Sequence, residues 1–481
     1  MADTNFAERL GNAMAACGLK QVDLIRLASE QGVKLGKSQL SQYLSGKTAP
    51  RRDMLAFLST ALGADLEPAS AAKQEVPMRT FDKSSKLDHV SYDVRGPVVD
   101  AAMRMEENGV HILKLNIGNP APYGFRTPDE VVQDMASQLT ETEGYSDSRG
   151  LFSARKAIMQ YDPLKGITNV SMNDIYTGNG VSELINLIMQ AMIDTGDEIL
   201  VPSPDYPLWT ACVTLAGGKA VHYLCDEQAD WLPDLDDIRS KISSATKAIV
   251  VINPNNPTGA LYPKAVLEEI VEVARAHQLI ILADEIYDRL VMDGEEHVSI
   301  AHLAPDLFCI TLNGLSKSHM IAGWRIGWMS ISGNKRLGRG LVEGISMMSN
   351  MRLCSNVPAQ SIVQTALGGY QSVKNYVVPQ GRVCRQRDFV YERLREIDGV
   401  HVAKPKAAFY IFPRLDPKKF NIHDDDQFAL DLLQDKKVLI VPGKGFNWET
   451  PGYFRIVYLP RRAVLGDALD KLADFLTYYR Q

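Results

Sequence analysis

Hydrophobic and polar residues alternate along this chain in two different ways. In residues 1–68, apolar residues recur at the spacing of an α-helix, as Phe6, Leu10 and Met14 do, and short polar turns separate four such segments. From about residue 88 onward, short continuous apolar runs are each followed by a turn and an amphipathic stretch. This repeated order of strand, loop and helix predicts an α/β fold. In such a fold a mostly parallel sheet has helices on both faces, and ligands gather at the carboxyl ends of the strands.

Length and composition bound the number of domains and the classes of partner. The 481 residues are enough for about two to four domains, and a charged fraction of 23% with a hydrophobic fraction of 45% is typical of a soluble globular enzyme. The net charge of -6 gives no overall bias toward nucleic acid or membrane, and no segment reaches about 18 uninterrupted apolar residues. We therefore predict no membrane partner.

The cysteines and the N-terminus indicate the cellular compartment. The six cysteines are widely scattered, with no CxxC pair and no Cys/His cluster at zinc spacing. The first ten residues, MADTNFAERL, lack the basic start and apolar run of a signal peptide. We predict a cytoplasmic protein with reduced thiols and no metal site.

The strongest chemical signal lies in residues 311–328, TLNGLSKSHMIAGWRIGW. An apolar strand runs into a polar turn that holds Lys317, and Arg325 follows eight residues later. A lysine that bonds to an aldehyde needs nearby cations to lower its pKa, and a phosphate beside it needs an arginine, a hydroxyl and backbone N–H groups. Ser316, Lys317 and Arg325 supply that set, although an isolated lysine in a turn is most often a solvated residue.

A second candidate for anion binding is the turn GNG before a long apolar helix. Asn179, Gly180, Val181 and Ser182 lie where N–H groups at a helix N-terminus are exposed, which is an arrangement that binds phosphate. A plain turn explains the same residues. Similarly, the glycine in LKLNIGNPAPYGF, Gly118, offers a backbone that a ligand can approach closely, or merely a turn.

Two further strands are followed by more polar and turn-forming residues than a simple turn requires. AIVVIN is followed by PNNPTG, which includes Asn256, and LIILAD ends at Asp284 with Tyr287 three residues later. A carboxylate at the end of a strand can also be a simple helix cap.

These segments together resemble the fold-type I pyridoxal-phosphate-dependent aminotransferases of class I/II. The family pattern S-K-x(7)-R-x-G occurs here as SKSHMIAGWRIG, and the other motifs follow in the family's order across residues 80–481. The resemblance implies pyridoxal 5'-phosphate as the cofactor and the PLP-dependent transferase fold. It implies a large domain with a mostly parallel sheet, residues 121–384, and a smaller α+β domain, residues 88–120 and 385–481, which closes over the substrate.

The resemblance also implies a role for individual residues. Lys317 is the Schiff-base lysine and the base that moves the Cα proton, and Asp284 forms an ion pair with the pyridine nitrogen. Tyr287 and Asn256 bond to the phenolic oxygen, and Tyr206 stacks on the ring. The implied phosphate-binding set is Gly180, Val181, Ser182, Ser316 and Arg325.

In detail the segment looks most like the bacterial alanine (glutamate-pyruvate) aminotransferases, as in LKLNIGNPAPYGF, INPNNPTG and MRLC. This resemblance implies a ping-pong exchange of the amino group between L-alanine and 2-oxoglutarate, which gives pyruvate and L-glutamate. Gly118, Asn256 and Arg455 would then bind the substrate, and Arg455 would hold its α-carboxylate as a bidentate fork. Arg95 and Arg352 are the two candidates for the distal carboxylate of glutamate.

Two positions depart from the pattern of the aspartate aminotransferases. Gly314 stands where many relatives have a phosphate-binding serine, which shifts that role to Ser316, and Met351 stands where a distal-carboxylate arginine is expected. Tyr145 matches a family tyrosine that reaches the cofactor phosphate of the neighbouring subunit. The resemblance therefore implies a homodimer with shared active sites.

Residues 1–68 resemble the lambda-repressor-like helix-turn-helix family, and residues 69–87, rich in Pro, Ser, Ala and Lys, are predicted to be a linker. Gln21 opens the second helix, and residues 38–44 would be the recognition helix in the major groove of DNA. The base-facing candidates are Ser38, Gln39, Ser41, Gln42 and Tyr43.

Two observations weaken the expectation that this all-α domain binds DNA. The stretch EQGVKLGK is longer than the usual tight turn, and eight Lys and Arg against seven Asp and Glu in residues 1–68 give little basic footprint. A helical appendage that assists folding or assembly is the alternative.

Three other functions stay open from the sequence. The chain is consistent with a transcriptional regulator whose aminotransferase-like domain senses pyridoxal phosphate or an amino acid. It is also consistent with an aminotransferase that prefers aromatic, aspartate or branched-chain substrates, or with an enzyme that binds its own promoter.

Overall fold

The computed structural model describes residues 4–67, 80–90 and 96–481, which form two compact units, one up to Lys83 and one from Ser84 to Gln481. Most of the predicted linker, residues 69–79, lies outside the described residues, and so does the candidate substrate ligand Arg95. Residues 80–87, which are also predicted to be linker, are described, and a short 3-10 turn, Ser85–His89, begins within them.

The N-terminal unit consists of short amphipathic helices around one apolar core. Its helices are α1 (Thr4–Ala16), α2 (Gln21–Glu30), α3 (Lys37–Leu44) and α4 (Arg52–Leu62). Leu10, Leu24, Leu40 and Leu58, one from each helix, are completely buried. The helices follow the apolar spacing of the sequence, because each needs a partner for its apolar face.

One residue of α3 was assigned wrongly from the sequence. Tyr43 was predicted to face DNA bases, but its side chain is buried and its ring meets that of Phe6 edge-on at 6.5 Å. Its hydroxyl accepts a hydrogen bond from Nε2 of Gln39 at 2.7 Å. Tyr43 therefore belongs to the core of the unit.

The second unit is a sheet flanked by helices, followed by a smaller group of strands. Its strands are β1 (Leu113–Lys114), β2 (Ile175–Gly178), β3 (Glu198–Ser203), β4 (Lys219–Asp226), β5 (Leu232–Pro233), β6 (Thr246–Ile252), β7 (Ile280–Asp284), β8 (Phe308–Gly314), β9 (Gly327–Gly333), β10 (Val400–His401), β11 (Tyr410–Ile411), β12 (Arg414–Leu415), β13 (Val438–Leu439), β14 (Val441–Pro442) and β15 (Phe454–Val457). Eight of them form the main sheet in the order β2-β9-β8-β7-β6-β3-β4-β5. β4, β3, β6, β7 and β8 run parallel, and β9 and β2 complete one edge in antiparallel pairing. The prediction of an α/β fold with a mostly parallel sheet is confirmed.

The helices of the second unit alternate with these strands. They are α5 (Pro97–Glu107), α6 (Asp129–Gln138), α7 (Phe152–Tyr161), α8 (Val181–Met192), α9 (Leu208–Ala216), α10 (Leu235–Lys241), α11 (Lys264–His277), α12 (Ile300–Leu303), α13 (Leu315–Ser318), α14 (Arg339–Arg352), α15 (Val357–Ser361), α16 (Val363–Gly368), α17 (Lys374–Val377), α18 (Arg382–Arg395), α19 (Pro417–Phe420), α20 (Asp425–Lys436) and α21 (Arg462–Leu476). Among the residues described in both units, no helix combines the length and the apolarity needed to cross a lipid bilayer.

Successive residues of the central strands enter apolar cores on opposite faces of the sheet. In β6, Ala248 and Val250 pack in the core that contains α8 and α9, whereas Ile249 and Val251 pack in the core that contains α11. Because both faces are covered, both sets of side chains are apolar, which explains the continuous apolar run in the sequence.

The smaller group of strands comes from two distant parts of the chain. β1 pairs in parallel with β13, with Leu113 opposite Val438. β15 lies between β11 and β14 and is antiparallel to both. Residues of α5, α18, α20 and α21 share one apolar core with these strands. The segment before residue 120 therefore packs with the C-terminal part of the chain.

The carboxyl ends of three neighbouring strands lead directly to candidate residues. β7 ends at Asp284, and β8 ends at Gly314, just before α13, which carries Lys317. β6 leads into the loop that contains Asn256. The parallel register aligns these ends, since Ile252 of β6 pairs with Asp284 and Asp284 pairs with Leu312 of β8.

Candidate active site

A cavity of about 210 Å³ lies at this edge of the sheet. The lining residues that the sequence singled out are Gly118, Val181, Ser182, Tyr206, Asn256, Asp284, Tyr287, Ser316, Lys317, Arg325 and Arg455. Those that it did not single out are Ile117, Ile252, Ile286, Ala322 and Tyr410. Segments separated by more than 300 residues therefore meet in one place.

Lys317 lies on the short helix α13. Its side chain is half-buried, and its Nζ donates a hydrogen bond to the backbone oxygen of Gly118 at 2.8 Å. Desolvation of the ammonium lowers the pKa of Lys317, and the guanidinium groups of Arg455 and Arg325 lower it further. A lysine with a lowered pKa gives up its proton more readily, so it can act as a nucleophile toward an aldehyde or as a base.

Asp284 is a buried carboxylate at the end of β7, with 3% of its surface exposed. Nε1 of Trp209 donates to one carboxylate oxygen at 3.2 Å, and the N–H of Ile286 donates to the other at 3.3 Å. Burial raises the pKa of Asp284 to about 6, because these two neutral donors offset only part of the lost hydration. A cation held against Asp284 would favour its charged form, so this position is suited to a cationic nitrogen.

The start of α8 and the side chain of Arg325 form the anion-binding part of the site. Gly180 has φ of 83°, and a Cβ there would come within 2.2 Å of Nη2 of Arg325. Nη2 of Arg325 donates to the backbone oxygen of Asn179 at 3.0 Å, which fixes the guanidinium beside the helix N-terminus. Ser182 and Ser316 line the same cavity. Hydroxyls, a guanidinium and helix N–H groups together match the requirements of a phosphate.

Two residues of the GNG turn contribute differently from the prediction. Gly180 does not line the cavity itself but makes room for Arg325. The side chain of Asn179 donates to Glu183 at 2.9 Å and accepts from the backbone N–H of Asn356 at 2.8 Å. Asn179 therefore stabilises the turn.

Arg455 lies in β15, and its guanidinium is held on several sides. Nη1 donates to Oδ1 of Asn256 at 2.8 Å, and Nη2 donates to the backbone oxygen of Asn116. The rings of Tyr410 and Phe446 flank it, with their centroids 4.3 Å and 4.6 Å from the guanidinium carbon. All four residues of β15 are buried, so the guanidinium lies within the protein and away from bulk solvent.

Three predicted ligands lie outside the cavity or outside the described residues. Tyr145 is 84% exposed, so its predicted contact needs a second copy of the chain and stays a prediction. Arg95 falls outside the described residues. Arg352 does not line the cavity: its Nη1 pairs with Glu183 at 2.7 Å and its Nη2 donates to the backbone oxygen of Ser148 at 2.7 Å. This placement does not support Arg352 as the ligand of a distal carboxylate.

The residues that follow Asp284 belong to a buried ion-pair cluster that was not predicted from the sequence. Nζ of Lys165 lies 2.5 Å from a carboxylate oxygen of Glu285 and 2.9 Å from one of Asp288. Asp288 also accepts a hydrogen bond from Nδ2 of Asn313 at 2.7 Å. The cluster thus connects the turn after Asp284 to the end of β8. No local signal marks Lys165, because its partners lie more than 100 residues away in sequence.

We expect Lys165→Met to destabilise the fold strongly. The substitution leaves the buried carboxylates of Glu285 and Asp288 without their cation, which costs about 3–5 kcal/mol. The measurement is the urea midpoint of the apoenzyme at pH 7. Lys264→Met is the matched control, because Lys264 is exposed and its i,i+4 ion pair with Glu268, at 3.4 Å, lies at the surface. Equal midpoints for the two variants would contradict the prediction.

Comparison with known proteins identifies the family of this chain. The family model described as aminotransferase class I and II matches residues 110–472. The chain belongs to the class I and II aminotransferases. The match begins after the N-terminal unit, so the helix-turn-helix resemblance of residues 1–68 is not confirmed.

Individual relatives of this aminotransferase are similar over most of its length. The glutamate-pyruvate aminotransferase AlaA of Haemophilus influenzae is 58% identical over 404 residues, which is 84% of this chain and 100% of that protein. The alanine aminotransferase of Mycobacterium tuberculosis is 52% identical over 404 residues, covering 84% of this chain and 94% of that protein. The crystal structure of an aminotransferase from Escherichia coli has a TM-score of 0.83 and 57% identity, over 84% of this chain and 100% of that one.

Aminotransferases of this class depend on pyridoxal 5'-phosphate, and the residues present fit that cofactor. Asp284 is a buried carboxylate whose two hydrogen-bond donors are neutral, which suits a cationic ring nitrogen. Ser182, Ser316 and Arg325 line the cavity with the start of α8, which suits a phosphate. Lys317 supplies the amine for the aldehyde.

Among the residues that were not identified from the sequence, Trp209 and Tyr410 bring a polar group to the site. Trp209, which donates to Asp284, lies in the core beneath the cavity, and a buried indole N–H needs an acceptor. Tyr410 lines the cavity beside Arg455. The available signal was a tyrosine within the apolar run AAFYIF, but nothing in the run shows which side chains it meets.

Proposed function

We propose that this aminotransferase exchanges the amino group between L-alanine and 2-oxoglutarate, forming pyruvate and L-glutamate by a ping-pong mechanism. The proposal rests on three groups that line one cavity. They are the amine of Lys317, whose pKa is lowered, the buried carboxylate of Asp284 and the fixed guanidinium of Arg455. The names of relatives at 58% and 52% identity support alanine and glutamate as the substrate pair.

The residues divide the chemistry as follows. Bound pyridoxal 5'-phosphate supplies an aldehyde for the amino group and a ring that takes up the electron pair from the broken Cα–H bond. Lys317 would hold the aldehyde covalently before substrate binds, and its amine, once free, would move the proton from Cα of the amino acid to the carbon that carried the aldehyde oxygen. Asp284 would keep the ring nitrogen protonated, and Tyr206 would stack on the ring. Tyr287 would donate a hydrogen bond to the phenolic oxygen.

The substrate is oriented by its α-carboxylate. Arg455 binds that carboxylate, and Asn256 accepts a hydrogen bond from Nη1, which fixes the guanidinium plane. The NH₂ group of the same Asn256 side chain would donate a hydrogen bond to the phenolic oxygen. Gly118 contributes its backbone to the substrate side of the cavity.

A panel of amino donors and oxo acceptors tests the proposal. We expect purified enzyme with cofactor to use L-alanine with 2-oxoglutarate, and L-glutamate with pyruvate, at a higher kcat/KM than aromatic, aspartate or branched-chain donors. Faster turnover of one of those donors would show a different substrate preference. A protein that binds the cofactor but turns over no pair would instead support the ligand-sensing regulator.

We propose Arg95 as the ligand of the distal carboxylate of glutamate. Arg95→Met is expected to raise KM for L-glutamate and 2-oxoglutarate by about 10–100-fold, because a charged hydrogen bond of about 1.5–3 kcal/mol is lost. KM for L-alanine and pyruvate, which lack that carboxylate, should stay unchanged. Arg104→Met, on the exposed face of α5, is the matched control. A parallel rise of all four KM values would contradict the assignment.

We propose that the enzyme is a homodimer with shared active sites. Tyr145, Phe152, Met347, Met351 and Leu353 are large apolar side chains that are exposed in the single chain. The loop that follows Tyr145 is tied to the end of α14, since its backbone accepts from Arg352 and Oγ of Ser148 donates to Asn350 at 2.6 Å. A second copy that covers this face would bring Tyr145 to the cofactor phosphate of its partner. A sedimentation mass of one chain would contradict the proposal.

We also propose the predicted division of the chain into an N-terminal domain, residues 1–68, a linker, residues 69–87, and two catalytic domains. In the catalytic part, residues 88–120 and 385–481 would close over residues 121–384. The pairing of β1 with β13 supports the shared origin of the small domain. All six cysteines are free thiols, which supports a reducing compartment such as the cytoplasm.

A second candidate function, DNA binding by the N-terminal unit, is favoured by the distribution of its charge. Residues 34–52 carry five Lys and Arg and no Asp or Glu, although the unit as a whole is nearly neutral. Ser38, Gln39, Ser41 and Gln42 of α3 are exposed within that basic segment. An electrophoretic shift of promoter DNA that weakens steeply with salt would support this function. Equal mobility of the DNA with and without protein at low salt would contradict this function.

A further inference from the structure

Tyr410 lies in the cavity but has no part in the chemistry described above. It opens β11 and is 3% exposed. Its hydroxyl lies 2.7 Å from the hydroxyl of Tyr287, and its ring packs on the guanidinium of Arg455. A Cβ on residue 118 would come within 2.1 Å of the Tyr410 hydroxyl, so Gly118 leaves the room that this hydroxyl occupies. One side chain therefore contacts three distant segments of the site.

The direction of the hydrogen bond between the two hydroxyls has a chemical consequence. Each tyrosine hydroxyl has a single proton to donate. If Tyr287 donates to Tyr410, it has none left for a ligand in the cavity. If Tyr410 donates instead, Tyr287 accepts on one side and donates on the other, and hydrogen bonds in such a chain strengthen one another. Burial and the neighbouring Tyr410 keep the pKa of Tyr287 well above its usual value, so Tyr287 retains its proton.

We propose that Tyr410 is a positioning residue whose hydroxyl donates to Tyr287, so that Tyr287 keeps its own proton for the phenolic oxygen of the cofactor. The ring of Tyr410 has a second task, which is to hold the guanidinium of Arg455 from one side. This inference rests on the proposed function, because it assumes that Tyr287 bonds to the cofactor.

The charged groups around the hydroxyl pair stay in place when only the Tyr410 hydroxyl is removed. They are Lys317, whose Nζ lies 5.8 Å from the Tyr287 ring centroid, together with Arg455, Arg325 and Asp284 in the same cavity. A titration change in Tyr410→Phe is therefore attributable to the lost hydroxyl.

The test is a pH titration of the visible absorbance of the holoenzyme. A hydrogen bond from Tyr287 stabilises the anionic form of the phenolic oxygen, and Tyr410→Phe weakens that donation. The absorbance transition is therefore expected to move to higher pH, by roughly half a pH unit. A shift to lower pH would show that Tyr287 had been donating to Tyr410, and an unchanged midpoint would show that the hydroxyls are not coupled. Either result overturns the proposal.

Three further variants separate the possible causes. Tyr287→Phe should shift the transition upward more than Tyr410→Phe does, and the double variant should titrate like Tyr287→Phe alone, because Tyr410 acts through Tyr287. Additive shifts would overturn that route. Tyr458→Phe is the matched control, since it removes another buried hydroxyl, one that donates to the backbone oxygens of Ala407 and Ala408, and it should leave the midpoint unchanged. An unshifted Tyr287→Phe would count against the proposed cofactor contact itself, whereas a shifted Tyr287→Phe with an unshifted Tyr410→Phe would refute only the inference about Tyr410.

The role of the ring is tested by a KM comparison. Tyr410→Phe keeps the ring, so KM for L-alanine should stay within about twofold of the wild type. Tyr410→Leu removes the ring beside Arg455, so KM should rise by about tenfold. Equal KM values in the two variants would overturn the role of the ring. Cofactor absorbance of both variants verifies that they are folded and loaded.

Discussion

Lys317→Ala is expected to lower kcat for alanine and 2-oxoglutarate by about 10⁴-fold or more. The substitution removes both the amine that binds the aldehyde and the base that moves the Cα proton, and a positioned base alone contributes about 10²–10⁴-fold. Initial rates at saturating cofactor measure this loss. The lowered pKa of Lys317 in this cavity is the structural reason for expecting a reactive amine there.

Two control variants define the meaning of that loss. Lys317→Arg keeps a positive charge but is expected to be equally inactive, because a guanidinium stays protonated and cannot act as a base. Lys264→Ala removes an exposed lysine of α11 and should keep the wild-type rate. A Lys317→Ala enzyme within tenfold of the wild type would contradict the assignment.

Arg455→Met is expected to lower kcat/KM for L-alanine by about 10²–10³-fold. Loss of one partner from a buried, hydrogen-bonded charge pair costs about 2–5 kcal/mol, and each 1.36 kcal/mol corresponds to a factor of ten. Arg455→Lys keeps the charge without the planar fork, so its loss should be smaller but still tenfold or more. Both kcat and KM should be measured for each variant, after the cofactor absorbance has shown that the enzyme is loaded.

The control for Arg455 lies six residues away. Arg461→Met changes an exposed arginine at the start of α21 and should leave kcat/KM within about twofold. Similar losses in Arg461→Met and Arg455→Met would indicate a general charge effect in place of carboxylate binding. An unchanged KM in Arg455→Met would contradict the role of Arg455.

The sheet and the location of the site were predictable, because strand ends and apolar runs are local properties. Asp284 and Lys317 each follow a continuous apolar strand, and parallel strands bring their carboxyl ends to one edge. Lys165 and Tyr410 were not predictable in the same way. Lys165 meets Glu285 across 120 residues and Tyr410 meets Tyr287 across 123, and no local pattern encodes such contacts.

The two glycines of the site show a subtler limit of sequence reasoning. Gly118 was interpreted as a place where a ligand approaches the backbone, and Gly180 as part of a turn that exposes helix N–H groups to a phosphate. In the structure the space that a Cβ would fill is taken by protein side chains, Tyr410 at residue 118 and Arg325 at residue 180. The sequence shows that room is needed but not what occupies it.

The assignment of Tyr43 as a base-facing residue is an error that the sequence could have prevented. Tyr43 follows Leu40 by three residues in α3, so both lie on one face of the helix, and Leu40 belongs to the apolar face. The candidate role of Arg352 as a substrate ligand could not have been judged from the sequence in this way. The ion pair of Arg352 with Glu183 joins residues 169 apart in the chain, so its local sequence could not exclude a role in substrate binding.

The most direct test of the central claim is borohydride reduction of the enzyme loaded with pyridoxal 5'-phosphate, followed by peptide mapping. We predict that the reduced cofactor is found on Lys317, in the peptide that contains SKSHMIAGWR, and that Lys317→Ala abolishes the label. Label on another lysine of the wild-type enzyme, or cofactor that stays bound without a covalent adduct at Lys317, would contradict the proposed mechanism.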